Sequence, residues 1–179
     1  QRFEQIILEA KNNCTEYAPQ RQDSVIAGID SSYNSTKFQG LELWVVAAVS
    51  IKADGTMITE LHNQGLGTPN PELAAQASKM EIDACTASID KADLVALDGS
   101  LYSQFLTRQA SLIALLTSTI KKKNNVVFVS KTSVTKNEFG KFGSLVGDIF
   151  YYNHAVQKPG FSKNFVDKDL GPGKVISSV

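Results

Sequence analysis

Apolar residues at Phe3, Ile6, Ile7, Ala10, Cys14 and Tyr17 recur at three- and four-residue steps. That is the period of a helix with one buried face, and Pro19 forbids its continuation. The spacing predicts an amphipathic opening helix from Phe3 to about Tyr17. Val25 to Ile29 is a short apolar run with the look of a buried strand, and the polar stretch Ser31 to Gln39, ending at Gly40, reads as a turn into a long second strand, Leu41 to Ile51. Asp54-Gly55, flanked by Ala53 and Thr56, lies between two β-like runs and marks a hairpin, so the second and third strands are antiparallel neighbours. After a Gly-, Pro- and Asn-rich loop from Gly65 to Pro71, Glu72 to about Asp90 carries Leu73, Ala77, Met80, Ala84 and Cys85 on one side of a helix. Leu94 to Leu97 is the next strand. Leu106, Ala110, Ile113, Leu116 and Ile120 form the core stripe of a further helix, whose negative C-terminal end suits Lys121, Lys122 and Lys123. Val126 to Val129 is another strand, Thr132 to Gly140 a turn or short helix, and Gly147 to Tyr152 a further strand. The tail from Lys158, with Pro159-Gly160 and Gly171-Pro172-Gly173, has no clear period and reads as an extended crossing or a truncated element.

An antiparallel opening followed by helix, strand, helix and strand describes an α/β fold, a mixed sheet with helices packed on it. The ribonuclease H-like arrangement begins this way. At 179 residues the chain supplies one core of ordinary size. The expected organisation is a single domain over 1–179, with an opening helix in 1–20, a ribonuclease H-like core in 24–157 and an irregular tail in 158–179.

Hydrophobic content of 42% against 20% charged residues is that of a globular protein in water, and no apolar run nears the roughly 18 residues a membrane span requires. Eighteen basic residues balance eighteen acidic ones, so any nucleic-acid contact has to come from a local patch, not from the global field. Cys14 and Cys85 fall in separate predicted helices with no metal-binding spacing, which suits a reducing, cytoplasmic interior with both thiols free. A first residue of Gln1 leads us to expect a chain that begins inside a longer gene product.

The candidate chemistry lies in two acidic strand ends, Ile26-Ala27-Gly28-Ile29-Asp30-Ser31-Ser32 and Leu94-Val95-Ala96-Leu97-Asp98-Gly99-Ser100. Each delivers a carboxylate where a strand leaves the core. Metal-assisted phosphodiester hydrolysis needs hard oxygen ligands converging on Mg²⁺ or Mn²⁺, and Glu81 supplies a third from the helix between them. One turn away from Glu81 stand Ala77 and Cys85, which puts it at the edge of the apolar face, whereas Asp83 points toward Lys79 and Ala87. Singly, each residue has a plainer use: an aspartate after a strand forms turns or caps helices, and a glutamate on an amphipathic helix is usually solvated. Only the trio in this order points to a metal site. Asp148 is an outside choice as a further carboxylate. Lys131 could screen a phosphate, and Tyr33, Phe38 and Tyr102 could stack on unpaired bases, although surface lysines and loop aromatics have many other uses. Gly65-Leu66-Gly67 lacks the strand and third glycine of a dinucleotide loop, and Ser100 has no histidine at a spacing that suggests a serine hydrolase.

These residues resemble the NurA-type nucleases of archaea and some bacteria. The resemblance rests on Gly28-Ile29-Asp30-Ser31-Ser32 before a long apolar strand, then Glu81, then Leu97-Asp98-Gly99-Ser100-Leu101, with weaker support from Val129-Ser130-Lys131-Thr132-Ser133. It spans roughly Val25 to Gly160. It implies a ribonuclease H-like, Mn²⁺-dependent (or Mg²⁺-dependent) nuclease acting on single-stranded DNA and DNA ends. It also implies a homodimer working with a HerA-type hexameric translocase in DNA end resection during repair. On that comparison Asp30, Glu81 and Asp98 look like the catalytic, metal-binding carboxylates. Members of the family run longer and finish with a tyrosine and a histidine that complete the active site. Tyr151, Tyr152 and His154 stand earlier than those, so a fragment or a naturally short member is expected. Two other readings stay open: a catalytically weak binding or assembly module that serves a translocase, and a ribonuclease H-like enzyme acting on RNA or hybrids.

Overall fold

The computed structural model describes residues 2–20, 22–98, 110–129, 136, 138–163, 165–169 and 174–177, with the backbone alone for 110–113, 115, 116, 165–169 and 174–177. Contacts divide the chain into two compact units, Asp23–Lys131 and the pair of segments Gln1–Gln22 and Thr132–Val179.

In the first unit, β2 (Ile26–Phe38), β3 (Leu41–Lys52), β4 (Met57–Leu66), β5 (Leu94–Asp98) and β6 (Val126–Val129) form one mixed sheet in the order β4-β3-β2-β5-β6. The β4-β3-β2 part is antiparallel, while β5 and β6 run parallel to β2. Helix α2 (Leu73–Ser88) packs across β2, β3, β4 and β5, and α3 (Ala110–Lys123) packs beside it. This is the ribonuclease H-like, mixed α/β arrangement expected from the sequence. Its core joins Ala27 and Ile29 of β2, Ile82, Ala84 and Cys85 of α2, and Val95 and Leu97 of β5. The small side chains of α2 let the helix lie close on the sheet. Burial pushes the Cys85 thiol up to about 11, which keeps it protonated and inert.

The polar run from Ser31 to Phe38 is strand and not turn, which corrects the expectation above. Every residue from Ala27 to Phe38 pairs with β3, and the reversal is confined to Gln39 and Gly40, both at positive φ (46° and 85°). A two-residue loop of that kind matches the twist of the flanking strands, and the apolar β3 then draws its polar partner into the ladder. The second hairpin lies at Asp54-Gly55 as expected, with the Thr56 amide donating to Asp54 Oδ1 at 2.8 Å and Gly55 at φ 87°. Along α2, three polar bonds fix the helix to three strands: Asn63 of β4 to Gln76, Ser31 of β2 to Glu81, and Ser50 of β3 to Ser88. The lysine run ends in use: Lys123 donates to the carbonyls of Ile89 and Ala92, beyond the end of α2, at 3.2 and 3.3 Å.

Across β3 and β4, Trp44 faces Gly65, and a Cβ on Gly65 would lie 2.4 Å from Trp44 Cζ2. Gly65→Ala should therefore destabilise the unit by about 1–3 kcal/mol through overpacking. Urea unfolding followed by the fluorescence of this single tryptophan reads it directly, and an unchanged midpoint would contradict the packing.

In the second unit, α1 (Arg2–Asn13) stops earlier than its pattern suggests, because Cys14 to Glu16 form β1, paired antiparallel with β7 (Gly160–Ser162). Cys14 is thus in a strand, and both cysteines are free. Residues 148–155, expected in part as strand, form helix α4 (Asp148–Ala155) after a short 3₁₀ turn at Gly140–Phe142. Ile6, Ala10, Phe139, Tyr151 and Tyr152 make its core. The tail holds a further pair, β8 (Phe165–Asp169) with β9 (Lys174–Ser177). None of the described helices is long and apolar enough to cross a membrane.

Candidate metal centre

β2 and β5 are parallel neighbours whose paired positions end at Ile29 opposite Leu97. Asp30 and Asp98 are the next residues on each strand. Strands lie about 4.8 Å apart, so these two carboxylates spring from backbones one strand spacing apart. Their side is set by alternation: Ala27, Ile29, Val95 and Leu97 turn inward to the core, and Asp30 and Asp98 take the opposite parity. Asp30 is exposed and Asp98 half-buried.

Glu81 comes from α2, where it is 8% exposed and shares the inner side with Ala77 and Cys85. The Ser31 hydroxyl donates to Glu81 Oε1. Burial pushes the Glu81 carboxyl above the usual range, the Ser31 hydrogen bond opposes that rise, and the charges of Asp30 and then Asp98 add to it. Glu81 therefore lies within electrostatic reach of both aspartates. Asp83, by contrast, pairs with Lys79 at 2.6 Å on the exposed side, as the spacing suggested.

Three like charges on hard oxygen donors suit a divalent cation in kind. The spacing is open, however: among the described residues no group of three His, Cys, Asp or Glu side chains is close enough to hold an ion. Alternation explains this, since Asp30 takes the parity opposite to Ser31, the residue that binds Glu81.

Tyr33 lies two residues beyond Ser31 on the same side of β2, and 52% of its surface is exposed. Phe38, at the end of the strand, is 67% exposed. Lys131 and Tyr102 lie outside the described residues, as do Gly99 and Ser100. Asp148 belongs to the other unit and is no free carboxylate: it is buried and accepts from the amides of Glu138 and Phe139 at 2.9 and 3.0 Å. Its strand placement fails because its residues open a helix. Tyr152 donates to Glu138 Oε2 at 2.6 Å, with burial first and this bond second pushing its phenol far up. Tyr151 meets Ser144 Oγ at 2.8 Å, and the His154 ring stacks near Phe150 at 4.2 Å. Tyr151 and Tyr152 thus tie α4 to the segment before it, while His154 packs on a residue of its own helix.

Sequence reasoning named Ser31 only as part of a motif and missed its bond to Glu81. Its signal was parity, since a residue next to an outward aspartate on a strand must face inward.

The family model for the NurA domain matches residues 24–174. A search of curated proteins finds no match. Among solved structures, the NurA nuclease from Sulfolobus solfataricus is similar at TM-score 0.71 and 18% identity, over 92% of this chain and 64% of that one. This chain thus spans less than two thirds of that relative's length. A NurA structure bound to dAMP and manganese matches at TM-score 0.43 and 14% identity, over 95% of this chain and 46% of that one.

Proposed function

Because the chain belongs to the NurA family, we propose that it is a metal-dependent nuclease that hydrolyses phosphodiester bonds of single-stranded DNA and DNA ends. Its partner in this reading is a HerA-type hexameric translocase, with the nuclease acting as a homodimer in end resection. The observation that supports the chemistry is the pair Asp30 and Asp98 on adjacent parallel strands, each one residue past the last paired position.

Asp30, Glu81 and Asp98 would hold Mn²⁺ or Mg²⁺. A bound ion of this class supplies an activated water and neutralises charge on the leaving oxygen. Asp30 and Asp98 present their carboxylates just past the last paired positions of β2 and β5, and buried Glu81 keeps a third carboxylate out of competition with bulk water. Tyr33, exposed on the same strand, offers a ring on which an unpaired base could stack, worth about 1–3 kcal/mol per base. Lys131 is the proposed phosphate contact.

The second reading, a binding or assembly module for a translocase, is favoured by the open spacing of the carboxylates. One assay separates the two. End-labelled single-stranded DNA, blunt duplex and an RNA–DNA hybrid are incubated with Mn²⁺ or Mg²⁺, with a chelator control. We expect Mn²⁺-dependent cutting of the single strand that the chelator stops. Absence of cutting with either metal, together with co-purification of a hexameric translocase, would establish the assembly role. Preference for the hybrid would move the substrate to RNA.

A further inference from the structure

We infer that the uncovered inner side of the β2–β3 hairpin is a track for single-stranded DNA, on which Tyr33 and Trp44 stack the bases and Lys37 meets a phosphate; the ligand class rests on the nuclease reading above. Tyr33, Ser35 and Lys37 follow Ser31 along β2 at steps of two, so they take the side that faces α2. On β3, Val46 lies opposite Tyr33, Trp44 opposite Ser35 and Glu42 opposite Lys37, which puts Trp44 on that side too. The helix covers only the start of it. Val46 is fully buried, and its partner on β4, Asn63, donates to Gln76 of α2 at 3.2 Å. Tyr33, Ser35 and Lys37 are exposed, and Trp44 is half-buried.

This surface suits bases better than a duplex backbone. Trp44 is the diagonal neighbour of Tyr33, about 7–8 Å away on the sheet, which is close to the step between successive bases of an extended strand. The indole is seated over Gly65 of β4, where a Cβ would lie 2.4 Å from Cζ2. Gly65 is not among the glycines at positive φ, so it serves the ring as space and not the chain as a turn. Charge is sparse. Lys37 is the single cation from Ser31 to Phe38, and Glu42 lies opposite it. A strand bound here is held by stacking, which accepts every base because each has a π-face, and only slightly by release of counterions. Tyr33 also stands two residues from Ser31, the partner of Glu81, so a strand on the track runs toward the acidic group.

Trp44 is the sole tryptophan and reports on its own contact. A short oligothymidylate is titrated with chelator present, so that neither metal binding nor cutting enters, and Trp44 emission is read beside the anisotropy of a labelled oligomer. We expect the oligomer to quench Trp44. Tyr33→Phe should bind within a few-fold of the parent, and Tyr33→Ala about 5- to 100-fold more weakly at an unchanged thermal midpoint. The slope of log affinity against log salt should be about −0.7, the value for one phosphate contact, and fall toward zero in Lys37→Ala. Equal affinity in Tyr33→Ala and Tyr33→Phe, binding by anisotropy that leaves Trp44 emission unchanged, or no binding at all would overturn the track. A protein that fails these tests yet cuts single strands keeps the nuclease reading without the track. One that passes them yet never cuts keeps the track and loses the nuclease reading.

Discussion

Asp30→Ala should lower Mn²⁺-stimulated cleavage of single-stranded DNA by roughly 10²–10³-fold or more while the protein stays folded. The size follows from the role: a ligand to a cation worth several kcal/mol of charge stabilisation, at about 1.4 kcal/mol per tenfold in rate, accounts for that loss. The intact fold follows from placement. Asp30 is exposed, and the packing of its strand is carried by Ala27 and Ile29 on the inner parity. Its removal also takes away one of the charges that raise the Glu81 carboxyl, so nothing buried is left unpaired. A gel assay paired with a thermal melt distinguishes the cases. Cleavage retained by a clean preparation would dismiss Asp30 as a ligand.

Asp148→Ala should have the opposite profile: a large loss of stability, and no direct loss of metal binding. The carboxylate is buried and takes both amides of the turn at Glu138 and Phe139, at 2.9 and 3.0 Å. Without it two inward N–H groups lose their acceptor, at about 1–3 kcal/mol each. Phe139, fully buried against Tyr151 and Tyr152, would lose the backbone that places it. We expect about 2–5 kcal/mol of destabilisation by urea unfolding monitored by circular dichroism. An unfolding midpoint equal to that of the parent would show that the turn does not depend on this acid.

Legibility in the sequence followed periodicity. The start of β2, the strand around Leu97, the hairpin at Asp54-Gly55 and helix α2 all carry strong local patterns, and the structure places them within a few residues of expectation. Ser31 to Phe38 was misread because its Ser, Thr and Asn content resembles a loop, while its strand state is imposed by β3, a partner later in the chain. The strand expected over Gly147 to Tyr152 is helix from Asp148 onward, because six residues are too few to distinguish a helical period from an alternating one. Asp98 was legible as a strand end; Asp30 instead lies inside β2, because its strand runs on to Phe38. That Glu81 would be buried was legible from its neighbours one turn away, but its hold on Ser31 was not, because it depends on how the helix lies across the sheet.

The reversal at Gln39 and Gly40 has a geometric corollary. Beyond Ser32, β2 and β3 continue together with β4 alongside β3 as far as Leu43, and the β2–β3 pair ends in a turn of two residues. Because sidedness repeats every second residue, removing Lys37 and Phe38 together with Leu41 and Glu42 would shorten the hairpin by one pleat and leave every remaining side chain on its original side. A single deletion would invert part of it. The length of this hairpin can therefore change in paired steps while Asp30 keeps its aim, which makes hairpin length and carboxylate placement separately adjustable.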